Sequence, residues 1–125
     1  MLQAVKDGSF VAVQTLLDDG ANPNTKDDYG VPVLMWAANN GHTEVVKLLL
    51  DKGAEVNAEA TDAVTSLWMA SQNGHTEVVK LLLDKGAEVN AKATINNIEW
   101  TALKIAKRRD HTDIVQLLEK AGAKE

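Results

Sequence analysis

Three histidines, His42, His75 and His111, are the side chains here best suited to metal or acid–base chemistry. They occur once per copy of a recurring segment, so stacking of the copies would set them in a row roughly 10 Å apart, the scale of neighbouring helix axes. A metal ion needs its ligands about 2 Å away. The row therefore reads as hydrogen-bonding groups at helix starts. Carboxylates are plentiful at Asp18, Asp19, Asp27, Asp28, Asp51, Glu55, Asp84 and Glu88. Most fall at helix ends or turns, where repetition fits capping and a solvated surface. No nucleophile stands beside a base, and no glycine-rich loop is spaced to cradle a phosphate. The absence of cysteine removes thiolates and disulfides. The expectation is a chain with no catalytic residue, no metal and no cofactor.

The 125 residues suffice for one domain, and 45% apolar with 25% charged residues is ordinary for a globular protein. A net charge of −5 without a basic block argues against a nucleic-acid partner. No apolar run approaches the ~18 residues of a membrane span. The segment Met1–Phe10 lacks the basic start and apolar stretch of a secretory signal. A cytoplasmic location without membrane association is expected.

The elements that must position any functional group follow from an exact repeat. Asn40–Ala58 and Asn73–Ala91 are the same nineteen residues at an offset of 33. The preceding stretches diverge: Lys26–Asn39 and Glu59–Gln72 share only Val31/Val64, Leu34/Leu67 and Ala37/Ala70. Gly-Ala dipeptides begin at Gly20, Gly53, Gly86 and Gly122, with spacings of 33, 33 and 36, and Gly8, Gly41, Gly74 and Asp110 repeat those spacings. Three extra residues therefore enter between Gly86 and Asp110, and matching of the apolar positions places them within Ala93–Glu99. Each period predicts two helices, Leu34–Asn40 and Thr43–Lys52, followed by a turn or hairpin over Ala54–Val64. The second helix has a stripe too broad for one neighbour, with Val45, Val46, Leu48, Leu49 and Leu50, and should be sandwiched.

This pattern resembles the ankyrin repeat family over essentially the whole chain. The matching segments are Pro32–Met35, Thr65–Trp68, Thr101–Lys104 and the block Gly41–Ala58 with its copy. The resemblance implies an all-α solenoid with short β-hairpin turns. The expected divisions are an N-terminal helix pair at 1–20, repeats at 21–53 and 54–86, and a final repeat at 87–125 with a finger three residues longer. The family's usual Pro and His are missing from the first helices, and its turn glycine is replaced by Ala63. If the backbone at Ala63 keeps positive φ, the cost is about 1 kcal/mol. Equivalents of inner apolar positions turn polar toward the ends: Leu48 becomes Thr15, Leu50 becomes Glu119 and Ala38 becomes Lys107. That is how solenoid termini are kept from exposing apolar surface. The resemblance also gives Asn24, Asn57 and Asn90 a hairpin-tying role, with hydroxylation as the alternative.

Family resemblance implies a concave groove of hairpin tips and first-helix faces. Helical phase turns Trp36, Asn39 and Asn40 outward, then Met69, Gln72 and Asn73, then Ile105, Arg108 and Arg109. Met35, Trp68 and Lys104 lie on the flank. The expected apolar anchors are Tyr29, Trp36, Trp68, Met69, Ile98 and Trp100. Asp28, Asp62, Gln72, Lys104, Arg108 and Arg109 are the expected polar contacts. The lengthened finger, with Ile95, Ile98 and Trp100, reads as binding anchors or as a loop folded over the groove. Charge runs from acidic at the first tips to basic on the last inner helix. The reading is a monomeric, non-catalytic module that binds a partner protein. Recent duplication, or an engineered consensus scaffold with a diversified groove, would both give an identical frame around varied inserts. A self-associating scaffold unit and a small-molecule groove are the alternative functions.

Overall fold

The computed structural model describes residues 1–125 and contains eight short helices in four consecutive pairs. The pairs are α1 (Leu2–Asp7) with α2 (Phe10–Asp18), α3 (Val33–Asn39) with α4 (Thr43–Asp51), α5 (Ser66–Asn73) with α6 (Thr76–Asp84), and α7 (Ala102–Arg108) with α8 (Thr112–Lys120). The first members stack in the order α1, α3, α5, α7, and the second members stack as α2, α4, α6, α8. The core runs between these layers and includes the fully buried Leu34, Leu49, Leu82, Leu103, Ile114 and Leu118. Of the second helices, α4 and α6 are sandwiched between neighbours in their layer, as their broad stripes require. Thr65 and Thr101 start α5 and α7 as side-chain caps, accepting from the backbone N–H groups of Trp68 and Lys104.

The loops between pairs extend as fingers. The first two close with single bridges, Lys26 to Pro32 and Glu59 to Thr65. The three additional residues of the last finger make a true hairpin, in which β1 (Ala93–Ile95) pairs antiparallel with β2 (Ile98–Trp100). Asn96 and Asn97 turn the chain with φ of 53° and 65°, the two positive values of a type I′ turn. At the second finger Ala63 has φ 61°, where the equivalent Gly30 has φ 79°. The alanine thus keeps the glycine conformation and bears its steric cost.

Thr15, Lys107 and Glu119 are all exposed, matching the polar turn expected at the ends. The conversion is incomplete at the N-terminal side. Leu16 is 36% exposed although its equivalent Leu49 is wholly buried. Helix α2 has a layer neighbour, α4, on one side only.

Two sets of side chains fasten successive repeats at all three junctions. The ring Nε2 of His42, His75 and His111 donates at 2.9 Å to the carbonyls of Lys6, Asn39 and Gln72 in the repeat before. A carbonyl only accepts, so Nε2 must carry the proton in each ring. These rings make no capping bond at their own helix starts, contrary to the expectation from sequence. They lie against Gly8, Gly41 and Gly74, where an added Cβ would approach ring atoms to 2.6, 2.7 and 2.8 Å. Glycine is needed there both for positive φ and for this close approach.

Asn24, Asn57 and Asn90 form the second set. Their Nδ2 groups donate to the carbonyls of Gly53, Gly86 and Gly122 at 3.2–3.3 Å. Their Oδ1 atoms accept from the N–H groups of Glu55, Glu88 and Lys124 at 2.8 Å. Each amide therefore bridges one repeat to the next, a wider reach than the tie within a hairpin that the resemblance implied.

Candidate partner-binding groove

The three fingers stand over the inner helix layer, and two hollows open between them and the helices. One, of about 290 Å³, is lined by Val31, Met35, Trp36, Asn39, Ala60, Thr61, Val64 and Met69. The other, of about 370 Å³, is lined by Trp68, Gln72, Ile95, Asn96, Ile98, Trp100, Ile105, Arg108 and Arg109. None of these residues belongs to the repeated nineteen-residue block.

The first finger is held rigid by Asp27. Its Oδ1 accepts the backbone N–H groups of Tyr29 at 2.8 Å and Val31 at 3.0 Å, and Oδ2 accepts Trp36 Nε1 at 2.9 Å. Lys6 Nζ sits 4.2 Å from the Trp36 ring centre. The Val31 N–H, followed by the Trp36 indole, the Tyr29 N–H and the charge of Lys6, holds the Asp27 carboxyl below its usual value, outweighing partial desolvation. Trp36 is thus half-buried and fixed at one edge, with Tyr29 projecting beyond it at 86% exposure.

The last finger covers part of the groove floor. Ala93, Ile95, Ile98 and Trp100 share one hairpin face by their register. Ala93 packs with Trp68 and Ile105, joined by the partly buried Val64, Met69, Ile95 and Trp100. Trp68 is only 6% exposed, and Ile105 and Met35 are buried as well. This corrects the outward or flanking position that helical phase assigned to all three. The phase of an isolated helix takes no account of a finger folding over it. The Trp68 indole N–H is enclosed without an acceptor from the protein.

The other sequence-selected residues are distributed along the groove. Asp28 and Asp62 are exposed at the first two tips, and Met69 and Gln72 are half-buried between them and the last finger. Ile98 is 47% exposed at the hairpin end, while Trp100 is half-buried. Lys104 lies 4.8 Å from the Trp100 ring centre and donates to the Glu99 carbonyl at 3.2 Å, so it braces the finger while remaining exposed. Arg108 and Arg109 are exposed and enter no ion pair or side-chain hydrogen bond.

Asn40 and Asn73 are exposed, as helical phase expected, and their amides also reach back to the preceding repeat. Asn40 Nδ2 donates to the Lys6 carbonyl at 3.2 Å, and Asn73 Nδ2 to the Asn39 carbonyl at 3.0 Å. Both fasten repeats. Sequence reading also missed Val31 and Val64 as groove wall and Asp27 as the finger's brace. The two valines carried a signal, since they alone persist between otherwise divergent fingers.

No three His, Asp or Glu side chains gather as a possible metal group. No helix is long and apolar enough to cross a membrane. No curated protein matches the chain. The family model described as ankyrin repeats (3 copies) matches residues 1–93 and again 64–124. Taken with the stacked helix pairs, their fingers and the repeated fastening residues, this places the chain in the ankyrin repeat family.

Proposed function

We propose that this chain is a non-catalytic module that grips a partner protein along the concave face of its fingers and inner helices, as a monomer. Ankyrin repeats are generally protein–protein interaction modules. One observation carries the reading for this chain. Both hollows of the groove are lined solely by residues outside the identical blocks. The identical blocks build the stack, and the residues between them, varied except at Val31 and Val64, line the groove. Tyr29, Trp36, Met69, Ile98 and Trp100 supply apolar contact area of the kind enriched in interface cores. Asp28, Asp62, Gln72, Lys104, Arg108 and Arg109 supply the polar rim. Trp68 supports the floor from beneath.

Affinity capture with the purified chain tests this, using two variants for comparison. One is Ile98→Ser/Trp100→Ser in the groove, and the other is Lys47→Glu/Lys80→Glu on the outer helices. A partner retained by the outer variant and weakened by at least about 2 kcal/mol by the groove variant is expected. Equal capture by both variants, each folded by circular dichroism, would sink the groove assignment. A light-scattering mass that rises with concentration would favour a self-associating unit instead.

A further inference from the structure

We propose that the hollow between the last finger and α7 receives an acidic segment of the partner, with one large apolar side chain beside Ile98 and Trp100 and flanking carboxylates on Arg108 and Arg109. The inference rests on the groove reading above and names the chemistry of its occupant.

Position 109 carries the first part of the case. Its equivalents Asn40 and Asn73 use their amides to bond a carbonyl of the preceding repeat. Arg109 makes no such bond, and the Gln72 carbonyl accepts from the His111 ring. A cation thus stands where the other copies place a fastening amide. Position 108 is likewise Arg, where the earlier copies have the neutral Asn39 and Gln72.

Local charge carries the second part. The nearby Glu99 carboxylate is engaged by Lys92 at 3.8 Å, and Asp110 enters no ion pair. Lys104 adds a third cation at the foot of the finger. Two free guanidiniums beside an aromatic wall favour carboxylates, because Arg binds them through charge-assisted, often paired hydrogen bonds. The wall itself favours an apolar side chain over a uniformly polar one.

The rest of the groove limits the acidic stretch. Asp28, Glu59 and Asp62 are exposed on the first two fingers. A segment acidic along its whole length would meet like charge there. The carboxylates must therefore be confined to the end that reaches α7.

Extended labelled peptides with a central Phe test this by fluorescence anisotropy against the whole chain. Three versions flank the Phe with Glu, Gln or Lys. The Glu peptide should bind at least about tenfold tighter than the Gln peptide, with the Lys peptide weakest. Arg108→Gln/Arg109→Gln should shrink the Glu preference to within about twofold, and replacing the peptide Phe by Ser should weaken binding at least about tenfold. Circular dichroism checks that the variant stays folded. A Gln or Lys peptide binding as well as the Glu peptide overturns the inference. So does a preference that survives in the arginine variant, or no binding of the Glu peptide at about 1 mM. If such a result comes with groove-dependent capture of a partner protein, only the acidic occupant fails. If capture is also groove-independent, the groove reading falls too.

Discussion

Arg109→Asn should make this protein more stable and a poorer ligand for carboxylates. Helices α5 and α7 stack as α3 and α5 do. The residue that follows has positive φ in every copy: 75° at Gly41, 77° at Gly74 and 59° at Asp110. The helix end is therefore shaped alike, and an asparagine at 109 is placed to reach a carbonyl of α5 as Asn73 reaches Asn39 at 3.0 Å. A neutral amide–carbonyl bond nets about 0.5–1.5 kcal/mol, and exposure of the site favours the lower half, about 0.5–1 kcal/mol. At roughly 2.1 cal/mol/K per residue, unfolding of the 125 residues has an entropy near 0.26 kcal/mol/K, so Tm should rise by about 2–4 °C. Urea melts followed by far-UV circular dichroism should show a higher midpoint with an unchanged slope. Arg109→Ala removes the same charge without adding a donor. If alanine stabilises as much as asparagine, relief of cation repulsion explains the gain and the hydrogen-bond reasoning is refuted. Loss of stability in the asparagine variant refutes it as well.

Ala63→Gly should stabilise by about 1 kcal/mol in the same urea assay, because Ala63 holds φ 61° that glycine adopts without a Cβ penalty. An unchanged midpoint would mean that the entropy of the glycine cancels the gain. Gly41→Ala should destabilise by roughly 2–3 kcal/mol, since its Cβ would meet His75 Nδ1 at 2.7 Å and its φ is 75°. Adding His75→Ala should recover part of that loss, and strictly additive losses would argue against the contact. Asp27 and Asp51 both have lowered pKa values, Asp27 chiefly through the Val31 N–H and Asp51 chiefly through Lys85. Their contributions to stability should be present above the usual carboxylate value near 3.8 and fade as pH falls below it. Asp27→Asn should flatten that acid limb; an identical pH profile would show that the finger network has no share in it.

Much of the fold was written in short-range pattern. The period of 33, the longer third interval, the paired helices and the polar ends all depend on which residue types recur along the chain. The left-handed backbone at Ala63 was also legible, because a turn glycine is missing where the frame needs one. The groove was legible only in outline. Divergence between the copies pointed to most of the residues that line both hollows, though not to the shared Val31 and Val64, and it did not say which were open. Trp68 and Ile105 share a helical phase with exposed positions but are covered by a hairpin. That hairpin had its own local cue, the Asn96–Asn97 pair between Ile95 and Ile98, and helical phase could not register it.

What the sequence determined by itself is therefore the frame: the number of helix pairs, their apolar faces and the place where the period breaks. These follow from local propensity and periodicity, which act within a few residues. The tertiary structure alone decided which groups are engaged. His75 fastens to Asn39 across 36 residues and Asn73 to the same carbonyl across 34, while Arg109 is left free. Such assignments depend on distances between stacked repeats, and no helical phase within one repeat contains them.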